Sequence, residues 1–99
     1  MSAKADALGV YFLDVGQGDC SFVLSGDGSE GVLFDCADEA VARNFVIDHE
    51  VTRLRAVVVS HLDSDHIRGM HAFLKWFLEE AELPIDAVYI GRDRAKPTT

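Results

Sequence analysis

Four side chains of the kinds that bind metal ions lie within six residues of one another in the middle of the chain. They are His61, Asp63, Asp65 and His66, and they follow the β-branched run 57–59. Such a run favours a strand buried on both faces, and α/β proteins place functional residues in loops that leave the carboxyl ends of such strands. Imidazole and carboxylate groups are ligands for divalent ions. The segment therefore predicts a metal site.

The spacing of these residues favours convergence of their side chains on a metal ion. Residues two apart in an extended segment point the same way, so His61, Asp63 and Asp65 can approach one ion. His66, at the turn into the next predicted helix, can approach from another side, and Asp65 precedes that helix closely enough to cap it. The alternative is an ordinary strand-to-helix loop with solvated polar residues. Two histidines and two aspartates at this spacing favour the metal site.

The residues before the motif predict three strands and a helix. The strands cover residues 10–13, 20–24 and 32–34, and the polar segment between the last two predicts a hairpin. The predicted helix begins at Asp38 and ends near Glu50. A sheet built in this order starts antiparallel.

The residues around and after the motif predict a strand, a helix and a further strand. The first strand covers 56–59 and the second covers 86–90, with Pro84 ending the helix between them. Residues 92–99 predict a polar tail. The helix carries apolar side chains at helical spacing, namely Met70, Phe73, Leu74, Phe77, Leu78 and Ala81. The whole order predicts an α/β unit, a mixed sheet with two helices.

Size and charge limit the function. The chain has 99 residues, 48% of them hydrophobic, which allows one small domain with a packed core. Its 17 acidic and 9 basic residues give a net charge of -8, which argues against a broad nucleic-acid-binding surface. A polyanionic substrate would need the metal, or another polypeptide, to attract it.

The expected compartment is the cytoplasm. The N-terminal residues are polar, unlike a signal peptide, and no run approaches the length of a membrane span. Cys20 and Cys36 lie on neighbouring predicted strands, and a reducing compartment favours free buried thiols over a disulfide. We interpret both as core residues, with a redox or ligand role as the alternative.

Three stretches of the chain resemble the metallo-β-lactamase superfamily. The signature His-x-[His/Asp]-x-Asp-His after a buried strand matches residues 61–66, and Leu33-Phe-Asp35-Cys36 resembles the early aspartate of the superfamily at a strand end. The aspartate in the third position, together with Phe12-Leu-Asp-Val-Gly-Gln-Gly-Asp19, looks most like metallohydrolase domains related to the bacterial competence DNA-uptake protein. The resemblance covers roughly residues 9–91.

The resemblance implies a fold and a metal centre. The fold is the N-terminal half of an αβ/βα sandwich, and the centre holds two divalent ions, zinc or manganese, which activate a water for hydrolysis. His61 and Asp63 would serve one ion, and Asp65 and His66 the other, with Asp65 also assigned to catalysis. The carboxylate at position 63 makes manganese a credible alternative to zinc.

Three further residues have two interpretations each. Asp35 would orient the ligands, or it is a carboxylate that caps a turn. Asp19 and the turn 16–19 would lie near the site, or they form a simple tight turn. Arg68 stands where the superfamily usually has glycine, and it contacts an anionic group of the substrate or is a solvated surface arginine.

The length of the chain suggests that partners complete the site. Superfamily members add a histidine, a bridging aspartate and a last histidine beyond the matched stretch, and they pack the first half against a second α/β half. His49 and His71 are expected to face solvent and do not substitute. The missing half could be a further part of the chain, another subunit or a second copy.

These considerations predict part of a metal-dependent hydrolase, a phosphodiesterase or nuclease. One alternative is a hydrolase of small esters, lactones, thioesters or amides, which the acidic charge balance suits somewhat better. The other is a non-catalytic half that binds a partner and carries a partial metal site.

Overall fold

The computed structural model describes residues 8–16, 18–60 and 64–91, without the side chains of 64–66. The predicted polar tail, 92–99, lies outside the described residues. In chain order the elements are β1 (Gly9–Phe12), β2 (Cys20–Leu24), β3 (Glu30–Cys36), α1 (Glu39–His49), β4 (Arg53–Val59), α2 (Ser64–Lys75), a π-helical turn (Trp76–Glu80) and β5 (Val88–Ile90).

The strands form one mixed sheet in the order β1-β2-β3-β4-β5. The pairs β1/β2 and β2/β3 are antiparallel, and the pairs β3/β4 and β4/β5 are parallel. Parallel neighbours need a crossover connection, and α1 and α2 provide the two crossovers. The predicted α/β unit with a mixed sheet and two helices is confirmed.

Local hydrogen bonds explain where the hairpin and the first helix form. In the hairpin between β2 and β3, the Asp27 carboxylate accepts bonds from the hydroxyls of Ser25 and Ser29 at 3.0 and 2.9 Å. The backbone N–H of Ser29 also donates to this carboxylate, and the two bonds from Ser29 hold the pKa of Asp27 below its usual value. Asp38, where the helix is predicted to begin, caps α1 by accepting bonds from the amides of Ala40 and Val41.

Both helices pack on the same face of the sheet. The ring of Phe22 in β2 stacks on Phe45 of α1 at 4.4 Å and meets Phe73 of α2 edge-on at 6.4 Å. Phe73 in turn stacks on Phe77 at 5.6 Å. The core is therefore a layer of aromatic and aliphatic side chains between the sheet and the helices.

The opposite face of the sheet is only partly covered. Val57 and Val59 are buried under the helices, whereas Val58 is half-buried, so the prediction of a strand buried on both faces is wrong. The strand register aligns Val58 with exposed residues on its neighbours. The side chains that form this open sheet face are Val10, Phe12, Phe34, Val58 and Tyr89, and the most exposed are Phe12 (83%) and Tyr89 (60%).

The second helix differs from prediction at both ends. It begins at Ser64, so Asp65 lies in its first turn instead of preceding it. At the other end the chain forms a π-helical turn, in which the amide of Ala81 donates to the carbonyl of Trp76. The wider turn moves Leu78 off the apolar stripe, and its side chain is exposed. Among the described residues, no helix has the length and apolar character needed to cross a bilayer.

Candidate metal centre

The carboxyl ends of four strands meet at one edge of the sheet. Strands β3, β4 and β5 are parallel to one another, and β1 runs in the same direction because both β1 and β3 are antiparallel to β2. Asp14 follows β1 at this edge, Asp35 lies near the end of β3, and Ser60 directly follows β4. The chain enters the predicted ligand motif from this edge, where α/β proteins form their functional sites.

A buried carboxylate fixes the residue that precedes the motif. Asp35 is 8% exposed, and its side chain accepts a 2.7 Å bond from the amide of Ser60 and a 2.6 Å bond from the Ser60 hydroxyl. The backbone of Asp35 is left-handed, with φ of 62°, a conformation that Asp tolerates better than most residues. The end of β3 thus holds the end of β4 in place immediately before His61.

A glycine brings the second helix close to the same strand end. A Cβ atom at Gly69 would come within 2.5 Å of the carbonyl oxygen of Cys36 and within 3.0 Å of backbone atoms of Ala37. The Cys36 thiol also donates to the carbonyl of Gly69, with 3.7 Å between sulfur and oxygen. The helix that carries Asp65 and His66 is therefore packed directly against the end of β3.

The structure describes only part of the predicted ligand motif. His61 and Asp63 fall outside the described residues, and Asp65 and His66 lie in the first turn of α2, where only the backbone is described. Among the side chains that are described, no group of three or more histidines, cysteines, aspartates or glutamates could hold a metal ion. Convergence of the four ligands stays a prediction.

The other residues considered in the sequence lie beside the end of β3 or on the two helices. The Asp19 carbonyl accepts a 3.0 Å bond from the amide of Ala37, which ties the turn before β2 to the end of β3, and the Asp19 side chain is exposed. Arg68 is exposed on α2. His71 is exposed, as predicted, and His49 is exposed while its ring stacks on Phe45 at 4.0 Å.

Ion pairs between strands lie at the opposite edge of the sheet. Arg53 of β4 pairs with Asp86 at 2.8 Å, and Arg55 pairs with Glu30 of β3 at 2.9 Å and with Asp86 at 3.3 Å. The hydrogen bond from Arg53 holds the pKa of Asp86 below its usual value. These arginines therefore stabilise the amino ends of β3 and β4 and do not neutralise the carboxylates at the metal edge.

Comparison with known families decides the identity of this fold. A sequence model of the metallo-β-lactamase superfamily matches residues 13–96, which include the strand-end aspartate and the whole predicted ligand motif. The chain belongs to the metallo-β-lactamase superfamily. Members of this superfamily are generally hydrolytic metalloenzymes that bind divalent ions such as zinc. No curated protein matches the chain.

The residues of this superfamily member fit a divalent ion. The chemistry of the donors, two imidazoles and two carboxylates in six residues, suits zinc or manganese. The scaffold around them is held from two sides, by Asp35 at the end of β4 and by the close contact of Gly69 with β3. Rigid support of this kind is what a metal site requires around its ligands.

Two residues of the site escaped sequence reasoning. Ser60 is the partner of Asp35, and its position directly before His61 was the only available signal. Gly69 interrupts an amphipathic helix, and because an isolated glycine lowers helix stability, its presence indicates a packing role such as close approach of another backbone. In this superfamily member that backbone is the end of β3.

Proposed function

We propose that this chain is part of a metal-dependent hydrolase that cleaves phosphodiesters, and that it acts as a nuclease. The observation that carries the proposal is the pair of bonds from Ser60 to the buried Asp35 carboxylate, which anchors the chain where the ligand motif begins. The resemblance of residues 12–19 to competence-related domains supports nucleic acid as the substrate.

The side chains of the motif would hold the ions. His61 and Asp63 would bind one ion, and Asp65 and His66 the other. When bound, such ions supply a water of lowered pKa and neutralise charge that develops on the attacked group. The dipole of α2 favours the negatively charged Asp65 in its first turn.

Asp35 and Arg68 would have supporting roles. The Asp35 carboxylate fixes the backbone of Ser60, and this limits the conformations open to the ligands that follow. Arg68 lies one turn after Asp65 on the exposed surface of α2, where its guanidinium would bind a phosphate oxygen of the substrate.

A second α/β half would cover the open sheet face and supply the remaining ligands. Exposed apolar patches that contain large aromatic side chains are typical of interaction surfaces, and Phe12, Phe34 and Tyr89 are exposed on this face. The half would come from a further part of the chain, from another subunit or from a second copy.

Hydrolysis of small esters, lactones, thioesters or amides is the second candidate. The observation that favours it is the net charge of -8, which repels a polyanion. In the nuclease proposal, bound metal ions and a basic partner surface overcome this repulsion.

Metal binding and turnover measured on the same samples test these proposals. The chain, alone and with any co-purifying protein, is loaded with zinc or manganese and given single-stranded DNA, duplex DNA and a panel of small esters. The variant is His66→Ala, and the matched control is His71→Ala, which removes an exposed histidine from the same helix. We expect DNA cleavage that His66→Ala abolishes and His71→Ala retains.

Each other outcome points to a different function. Turnover of esters without DNA cleavage would support the second candidate. Tight metal binding without any turnover, with a partner or alone, would indicate a non-catalytic partner-binding half. Equal metal content in the wild type and in both variants would refute the metal site itself.

A further inference from the structure

Two buried thiols lie opposite each other across the hairpin between β2 and β3. Cys20 of β2 is paired with Cys36 of β3 in the antiparallel register, and the side chains are 3% and 1% exposed. Both cysteines are free. The register shifts between Cys20 and Ser21, so the two cysteines are paired beside a β-bulge. Opposed residues in a regular antiparallel pair have Cα atoms about 4.5 or 5.5 Å apart, and both distances lie within the range that a disulfide spans.

The thiols interact with each other and with the second helix. A hydrogen bond between the two thiols lowers the pKa of Cys20, and the same bond, together with burial, raises the pKa of Cys36. The carbonyl of Gly69 also lies within reach of the Cys36 thiol, at 3.7 Å. Cys20 is therefore the better nucleophile, and Cys36 is placed to react with it.

We propose that Cys20 and Cys36 are a site of reversible oxidation, at which a small peroxide converts the thiol pair into a disulfide between β2 and β3. The Cys20 thiolate attacks one peroxide oxygen, and the O–O bond breaks to give a sulfenic acid and hydroxide. The Cys36 sulfur then attacks the Cys20 sulfur and displaces the sulfenic oxygen as water. With hydrogen peroxide, two thiols and one peroxide give one disulfide and two waters.

Because of where the two cysteines lie, a disulfide between them would affect the end of β3 and its contact with α2. Cys36 directly follows Asp35, and its thiol contacts Gly69 of α2. Oxidation removes the thiol proton that is donated to Gly69 and links the turn before β2 covalently to the strand end beside the metal motif. Because both thiols are buried, oxidant gains access only through local opening, so the reaction is slow compared with that of an exposed thiol.

Oxidation of the folded wild-type chain tests the proposal without metal or substrate, so its outcome is independent of the proposed function. The chain is incubated with hydrogen peroxide in native buffer, with glutathione in the same tube as a control for active oxidant. Remaining thiols are then alkylated in denaturant and counted by intact mass. We expect both thiols to be lost together, a tryptic cross-link between the two cysteine peptides, and recovery of both thiols with dithiothreitol.

Unfolding in urea provides a second measurement. Closing a loop of about 15 residues restricts the unfolded chain, so the folded-to-unfolded ratio rises about 100-fold on oxidation. Cys20→Ser and Cys36→Ser, each of which leaves one thiol, show no such increase. The proposal is overturned if both thiols survive while the glutathione is oxidised, if the link forms only in denaturant, or if Cys20 is oxidised beyond the sulfenic acid while Cys36 stays reduced.

Discussion

Removal of the Asp35 carboxylate is expected to loosen the edge of the sheet that carries the ligand motif. Asp35→Ala removes both acceptors for Ser60 and leaves the Ser60 amide without its 2.7 Å bond. Asp35→Asn keeps the shape and tolerates the left-handed backbone, but it brings an amide donor towards the donors of Ser60. Ser60→Ala removes only the hydroxyl.

The structure sets the order of the three losses in stability. A hydrogen bond to a charged group contributes about 1.5 kcal/mol or more, so loss of two bonds costs about 3 kcal/mol in Asp35→Ala. The left-handed φ of 62° adds about 1 kcal/mol for alanine. We expect about 1–2 kcal/mol for Asp35→Asn and about 1 kcal/mol for Ser60→Ala.

Urea unfolding followed by the fluorescence of Trp76, the single tryptophan of the chain, measures these losses. The double variant of Asp35→Ala and Ser60→Ala closes a thermodynamic cycle, and we expect a coupling energy of about 1 kcal/mol. Strict additivity of the two single variants would refute the reasoning. In a separate titration we expect Asp35→Asn to weaken metal binding by about 10- to 100-fold, because orienting partners contribute this much to a metal site.

Three further substitutions test other parts of the fold. Gly69→Ala forces α2 away from Cys36 and should cost about 2 kcal/mol in urea unfolding; an unchanged midpoint would contradict the close contact. Asp38→Ala removes the cap of α1 and should cost about 1 kcal/mol of stability. Thermal melting measures this loss, and an unchanged melting temperature would contradict a stabilising role of the cap. Asp86 has a lowered pKa in the folded chain because of Arg53, so its pairing stabilises the fold above the unfolded pKa and is lost as pH falls through the folded pKa. Between pH 5 and pH 2, about the range in which aspartates titrate, the free energy of unfolding should therefore fall less in Asp86→Asn than in the wild type. An equal fall in the variant and in the wild type would count against this ion pair.

Sequence reasoning worked where local rules determine structure. Strand β2 was predicted with its observed bounds, and the hairpin that follows it was predicted from turn residues alone. Asp38 was recognised as the start of α1. The motif was predicted to bind metal because two histidines and two aspartates within six residues are rare by chance, and the superfamily match then confirmed the family.

Contacts between distant residues were not accessible in the same way. The bonds from Ser60 to Asp35, the approach of Gly69 to Cys36 and the pairing of Cys20 with Cys36 all join separate elements. The apolar run in β4 predicts a strand buried on both faces, but a local pattern does not specify which face of a sheet the helices cover.

The amino-acid sequence by itself determined the kinds of elements, their order and the chemistry of the motif, because these depend on residue types and short spacings. Only the tertiary structure decided that both helices lie on one face of the sheet, that a buried carboxylate holds the start of the motif, and that two thiols meet. These features depend on how strands align and pack, and that alignment is set by the total burial of the core and not by any local stretch of residues.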